Sequence, residues 1–204
     1  MQLAASNARR FADHWKYGGL RQSCRFIRAR MQQLRGDAYF RGMNSVDRYC
    51  PCCGWEGRLF KPYISGGYTT LDALCPQCGS HGRHRSHILY YRDHLRLFEK
   101  SGRLLYFAPE SGILPHLRGA SGLDLETTDY EEIADVDHKY DIMEIAVPDN
   151  SFDLIICHRV VEHVPGDRKA MRELLRILKP GGMVILSVPI SANLEKTVEF
   201  GEPN

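Results

Sequence analysis

From Arg103 to Val188 the chain alternates short apolar runs with helical stretches, and this feature most restricts what it can fold into. Strands that alternate with helices pair in parallel, because each helix carries the chain back to the same edge. The run Phe152–Cys157 is apolar at every position but Asp153, the mark of a strand buried on both faces. Further strands are predicted at Leu104–Ala108 and Gly122–Leu125, with a short helix at Ile113–Arg118. In Asp167–Leu178 the residues Met171, Leu174, Leu175 and Leu178 fall at i, i+3, i+4, i+7, and Lys179-Pro180-Gly181-Gly182 stops that helix. Met183–Val188 reads as another buried strand. The expected fold class is α/β, a doubly wound Rossmann-like parallel sheet.

The region before this sheet has another character. Residues 1–48 carry ten Lys/Arg against three Asp/Glu, whereas residues 103–204 carry ten against eighteen. A basic front and an acidic rear point either to an anionic partner for the front or to docking of one on the other. Residues 1–48 read as a basic helical segment, one or two amphipathic helices interrupted at Gly18-Gly19. An Arg-rich start also resembles a mitochondrial presequence, although Asp13 and the paired glycines speak against it. A small module follows at 49–85 and a connecting helix at 86–102, spanning Ser86 to Lys100 with Ile88, Tyr91, Leu95 and Phe98 on one stripe. Residues 103–204 form the main domain.

No stretch approaches the roughly 18 consecutive apolar residues of a membrane span, and no apolar run precedes the first arginines as in a secretory signal. With 204 residues, 43% of them hydrophobic, the chain can bury one substantial core and a small satellite.

Four of the seven cysteines form two C-x-x-C pairs, Cys50/Cys53 in Cys50-Pro51-Cys52-Cys53-Gly54 and Cys75/Cys78 in Cys75-Pro76-Gln77-Cys78-Gly79. A tight turn with Pro and Gly aims two thiolates at one point, and two such turns complete a tetrahedral sulfur site for zinc. Cys50, Cys53, Cys75 and Cys78 are therefore the expected ligands of a structural Zn2+ in a zinc ribbon. Cys52 could replace a neighbour, and His81 or His84 could substitute for a distal thiolate. Cys24 and Cys157 read as buried or half-buried thiols. Thiolate metal sites belong in a reducing compartment, so the expected location is the cytoplasm. Trp55, Phe60, Tyr63 and Tyr68 interleave with Arg58, Lys61, Arg83 and Arg85, a pattern that can stack on bases and pair with phosphates.

Residues 141–189 carry the most specific pattern. Asp141-Ile142 leads to Pro148-Asp149-Asn150-Ser151-Phe152-Asp153, then to Glu162-His163-Val164, and finally to Leu178-Lys179-Pro180-Gly181-Gly182. This order resembles the class I S-adenosylmethionine-dependent methyltransferases, most of all their type 11 group. The resemblance implies S-adenosyl-L-methionine lying across the carboxyl ends of the strands. Asp124, in Gly122-Leu123-Asp124-Leu125, would take the ribose hydroxyls. Asp141 would receive the adenine amino group, with Ile142 against the ring. Cys157, which ends the strand-four run, falls among the residues beside the cofactor.

The first turn departs from the family pattern of an acid followed by three spaced glycines. Tyr106 stands at the acid's position, Ala108 and Glu110 replace two glycines, and only Gly112 survives. Glu110 would then meet the cofactor's α-ammonium group. His158, at the end of strand four, is the candidate base for a hydroxyl or amine acceptor. After Val188-Pro189 the chain runs only from Ile190 to Asn204, too short and polar for the two strands that usually close such a sheet, so a fragment or an abbreviated sheet is expected. The reading is an enzyme that methylates a small polar acceptor such as a sugar. The alternatives are an RNA methyltransferase that holds RNA through its basic front and ribbon, and a non-catalytic binding protein on the same scaffold.

Overall fold

The computed structural model describes residues 2–35, 48–65, 67–130 and 135–190; residues 191–204, on which the expectation of missing strands falls, lie outside it. The chain divides into two compact units, Met1–Tyr90 and Tyr91–Asn204.

The first unit opens with helix α1, Gln2–Arg35. It is broken at the predicted place: Gly19 leaves helical geometry at φ 60°, ψ −161°. Past the kink, Ser23, Phe26 and Ala29 are buried, whereas Cys24 is exposed rather than half-buried. Before it, the buried His14 ring meets Thr69 through Nε2 at 2.8 Å, and the Thr69 amide donates to Gln22 Oε1. Two small antiparallel pairs complete the unit: β1 (Arg48–Tyr49) with β2 (Glu56–Gly57), and β3 (Lys61–Ile64) with β4 (Thr69–Leu74). Asp72 joins them, accepting from the Phe60 amide at 2.7 Å and pairing with Arg48 at 2.7 Å.

Helix α2 spans Gly82–Asp93, earlier at both ends than the predicted 86–100. Arg96 then takes a left-handed conformation and a 3-10 turn follows at Leu97–Glu99. The buried leucine there is Leu97, so the apolar period is reset by the turn instead of continuing along one helix face.

The second unit holds the predicted parallel sheet. Strands β5 (Gly102–Phe107), β6 (Leu123–Thr128), β7 (Phe152–His158) and β8 (Leu178–Ser187) stand in the order β6-β5-β7-β8, every pairing parallel. The central strands β5 and β7 are the most buried, and β8 is half-buried at an edge of the described sheet. Helices α3 (Leu114–Arg118) and α4 (Asp167–Ile177) flank it. Leu105, Phe107, Ile145, Phe152, Ile155 and Leu174 are among its core residues. The predicted stripe on α4 needs correction: Ala170, Leu174 and Ile177 are buried, while Met171 and Leu175 stay 45% and 69% exposed. Small Ala170 lets the helix approach the sheet, which rotates Leu175 out. Gly102 is required at its place, since at φ 129° an added Cβ would come within 2.8 Å of the Asp153 carboxylate.

Candidate functional site

In the first unit the two cysteine turns are brought together. The Sγ atoms of Cys50, Cys53, Cys75 and Cys78 all lie within 4.8 Å of one another. Cys50 and Cys78 are 3.7 Å apart, Cys53 and Cys75 3.6 Å. A tetrahedron of sulfurs around zinc, at about 2.3 Å per bond, has edges of about 3.8 Å, so the donor set fits the ion. Gly54 and Gly79 take φ 73° and 70°, and their amides donate back to the Cys50 and Cys75 carbonyls at 2.8 and 3.0 Å. This is the left-handed curl that only glycine adopts at low cost. Neither Cys52 nor His81 nor His84 belongs to the cluster; the His81 amide donates to His84 Nδ1 instead. Burial pushes the Cys53 thiol up to about 12. At Cys50 burial is outweighed by hydrogen bonds from Ser80 and from the cysteine turns, which bring it down to about 7. Four thiols packed this closely lose their protons together only against a cation. Arg85 braces the second turn, donating to the Ser80 and Ala73 carbonyls with its guanidinium 3.7 Å from the Phe60 ring centroid.

In the second unit the parallel strands end together, and Thr128, Phe107, His158 and Ser187 share one rim. Two rim residues just beyond their strands have left-handed backbones, Ala108 at φ 47° and Arg159 at φ 56°. Both are tied across, the Ala108 amide to the Thr128 carbonyl at 2.8 Å and the Arg159 amide to the Ser187 carbonyl at 2.9 Å. Ala108 replaces the first glycine of the resembled pattern and still holds a conformation glycine favours, so the turn is preserved at some cost in strain. Tyr106 also compensates for its substitution: its hydroxyl accepts from the Glu110 amide at 3.1 Å. The Glu110 carbonyl then receives the amides of Ile113 and Leu114, and Gly112 is buried in that turn.

Asp124 is not where the ribose acid was expected. Strand β6 runs from Leu123 to Thr128, so Asp124 stands at its amino end, 73% exposed and 3.9 Å from Arg103. The acid just past the carboxyl end of β6 is Asp129. The predicted strand, 122–125, is shorter than the observed one, which continues through Thr127 and Thr128. They are β-branched strand residues that are buried. Their polar groups are satisfied by the following segment. Asp137 accepts from Thr127 at its amide and hydroxyl, which holds this carboxyl below its ordinary range, and the Tyr140 amide donates to Thr128 Oγ1. This segment is thereby laid along the rim and leads into Asp141.

Asp141 is half-buried, and its Oδ1 accepts the Met143 amide at 2.8 Å. Ile142 is buried in the core with Leu105 and Phe107, an apolar floor rather than an exposed face. Sequence reasoning missed the clamp that fixes this loop. Glu173 of α4 accepts the Ile145 amide at 3.0 Å, and Arg176 donates to the Ile145 and Val147 carbonyls at 2.8 Å. Arg176 also pairs with Glu173 and Asp149. The guanidinium holds the Glu173 carboxyl below its usual range. Its signal was the i, i+3 acid–base spacing on the predicted helix.

His158 is 2% exposed, and both ring nitrogens are engaged, Nδ1 with Ser187 Oγ at 2.8 Å and Nε2 with the Tyr91 hydroxyl. Burial pushes the Tyr91 phenol above its ordinary range, so it stays protonated. His158 is thus a brace between β7, β8 and Tyr91 rather than an open base. Cys157 is fully buried, its thiol pushed up to about 12 by burial and by the charge of Glu162. Glu162, in the 3-10 turn Val161–His163, has both carboxylate oxygens buried without a hydrogen-bond partner among the described residues. The His163 Nε2 lies 3.9 Å from Glu162 Oε1. Such a carboxylate is costly unless a ligand supplies a donor.

Residues 122–186 match a family described as a methyltransferase domain. A ubiquinone/menaquinone biosynthesis C-methyltransferase of Idiomarina loihiensis is 40% identical over 63 residues, covering 29% of this chain and 25% of that protein. The 27-O-demethylrifamycin SV methyltransferase of Amycolatopsis mediterranei is 36% identical over 75 residues, 32% of this chain and 28% of the other. The match thus spans about a quarter of the length of these curated relatives. Among solved structures, a protein of Pyrococcus horikoshii aligns over 54% of this chain and 59% of its own, with TM-score 0.42 and 22% identity. The second unit is an α/β unit on a four-stranded parallel sheet, with a methyltransferase-domain match from β6 through β8. The matched segment begins beyond the altered β5 turn.

Proposed function

We propose that this chain is an S-adenosylmethionine-dependent methyltransferase acting on a small polar acceptor, with a zinc-ordered module at its front. The observation that carries the reading is the coincidence of two things. The methyltransferase match covers β6 to β8, and an acid follows within a few residues of the carboxyl ends of β5, β6 and β7, at Glu110, Asp129 and Glu162. Asp129 would hold the ribose hydroxyls, Asp141 the adenine amino group over the Ile142 floor, and the turn Ala108–Gly112 the amino-acid end, with Glu110 on the ammonium. Glu162 would supply an acceptor for a donor group of the ligand. The bound cofactor supplies an activated methyl group, so the chain's work is to position two reactants and exclude water. Small-molecule acceptors are supported by the names of the two curated relatives. Four thiolates leave no open coordination position, which gives the zinc a folding role and no catalytic one.

The test is isothermal calorimetry of the intact chain with S-adenosylmethionine and S-adenosylhomocysteine, with NADH as the control. Saturable heat with either sulfur ligand and none with NADH is expected. No heat at millimolar S-adenosylmethionine would overturn the reading.

A further inference from the structure

The solvent face of α1 past its kink is two-toned. Leu20, Cys24 and Ile27 follow one another at i, i+4, i+7 and share a face, at about 100° per residue. Leu20 is 67% exposed and Ile27 48%, and Cys24 between them is exposed as well. One residue further round, Arg21, Arg25 and Arg28 repeat the same spacing, two of them exposed and Arg25 half-buried. The opposite face, Ser23, Phe26 and Ala29, is buried and needs no further partner. An aliphatic stripe beside a parallel arginine stripe differs from a single-strand nucleic-acid surface, which presents aromatic rings for bases to stack on. It matches an interface that is apolar a few ångströms in and anionic at its surface.

We propose that this face of α1 docks on an anionic membrane surface, Leu20 and Ile27 entering the headgroup boundary while the arginines meet lipid phosphates. None of the described helices is long and apolar enough to cross a membrane, so the association is peripheral. Trp15, 57% exposed just before the kink, lies at the edge of the same segment. The charge of residues 1–48, ten bases against three acids, supplies the long-range attraction.

The test is co-sedimentation of the full chain with vesicles of phosphatidylglycerol and phosphatidylcholine, or of phosphatidylcholine alone, with Trp15 fluorescence as the second readout. Binding to the anionic vesicles, at least about tenfold weaker to the zwitterionic ones, weakened by salt and accompanied by a blue shift, is expected. Arg21→Gln with Arg28→Gln should weaken it about thirtyfold, since each basic residue near the surface contributes about a factor of five. Leu20→Ser with Ile27→Ser should weaken it about tenfold or more at unchanged charge. All four positions are solvent-facing, so thermal unfolding should not change. No sedimentation with either vesicle, or binding indifferent to the Leu20/Ile27 pair, would overturn the proposal. Tighter capture of a single-stranded RNA that depends on the arginines alone would reassign the face to nucleic acid.

Discussion

The two units are held together by different means. Around the cysteine turns the buried residues are Cys50, Phe60 and Cys75, with Trp55 packed alongside. Around β5 and β7 an apolar core of eleven buried residues runs from Leu105 to Ile177. A module this small buries too little apolar surface to offset its chain entropy, and the metal proposed for its four thiols would supply the cross-link. The second needs none. On that proposal one part of the chain folds with an ion and the other by packing, and the two should fail separately.

The largest separation is expected from removing the metal. Chelation, or Cys75→Ser, withdraws a binding energy of about 10–16 kcal/mol that doubles as folding energy. Limited proteolysis should then digest the region of Cys50–Cys78 while a fragment containing β5 to β8 survives; equal loss of both would break the comparison. The reciprocal change, Phe152→Ala, should cost the second unit about 3–5 kcal/mol and leave the metal content per chain unchanged, read by denaturant unfolding beside a metal assay. Arg176→Ala removes the donors that fix the loop at Ile145 and Val147. It should lower stability and speed amide exchange in 141–149 more than elsewhere.

Acid titration sharpens the same contrast within the second unit. Arg176 lowers the Glu173 carboxyl, while a hydrogen bond from Lys179 and the Arg103 amide lower that of Asp153. A carboxyl depressed in the folded state contributes stability that is fully present above its unfolded value, about 4, and is lost as pH falls through the folded value. The second unit should therefore hold its unfolding midpoint down to about pH 4 and weaken below it; a loss centred near neutrality would exclude these carboxylates as the cause. The smallest effect is reserved for Asp124→Ala, expected within about 0.5 kcal/mol because the side chain is exposed and its pair with Arg103 is long.

What could be read from the sequence follows from what each residue needed to know. The parallel sheet was legible because Leu154–Cys157 is apolar at every position, with Asp153 the one charge in the strand, whereas a half-exposed strand alternates. The cysteine cluster was legible because each C-P-x-C-G turn carries its own geometry, and only the pairing of the two turns is tertiary. Asp124 lies at the other end of its strand from the one expected, because the end of β6 depends on Thr127 and Thr128 finding partners in Asp137 and Tyr140, which lie past the strand. His158 was found at the right end of the right strand. Its engagement by Ser187 and Tyr91 depends on β8 and α2, which no local pattern announces. The α4 stripe was miscounted because Ala170, a weak hydrophobe, packs closest to the sheet.

The central claim is that a nucleoside-bearing ligand sits at the carboxyl rim, with its ribose on Asp129 and not on Asp124. Calorimetric titration of S-adenosylhomocysteine into Asp129→Ala and Asp124→Ala, side by side with the unaltered chain, tests it directly. The account predicts binding weakened about tenfold or more by Asp129→Ala and unchanged by Asp124→Ala. The reverse pattern, or equal affinity in all three proteins, would contradict it.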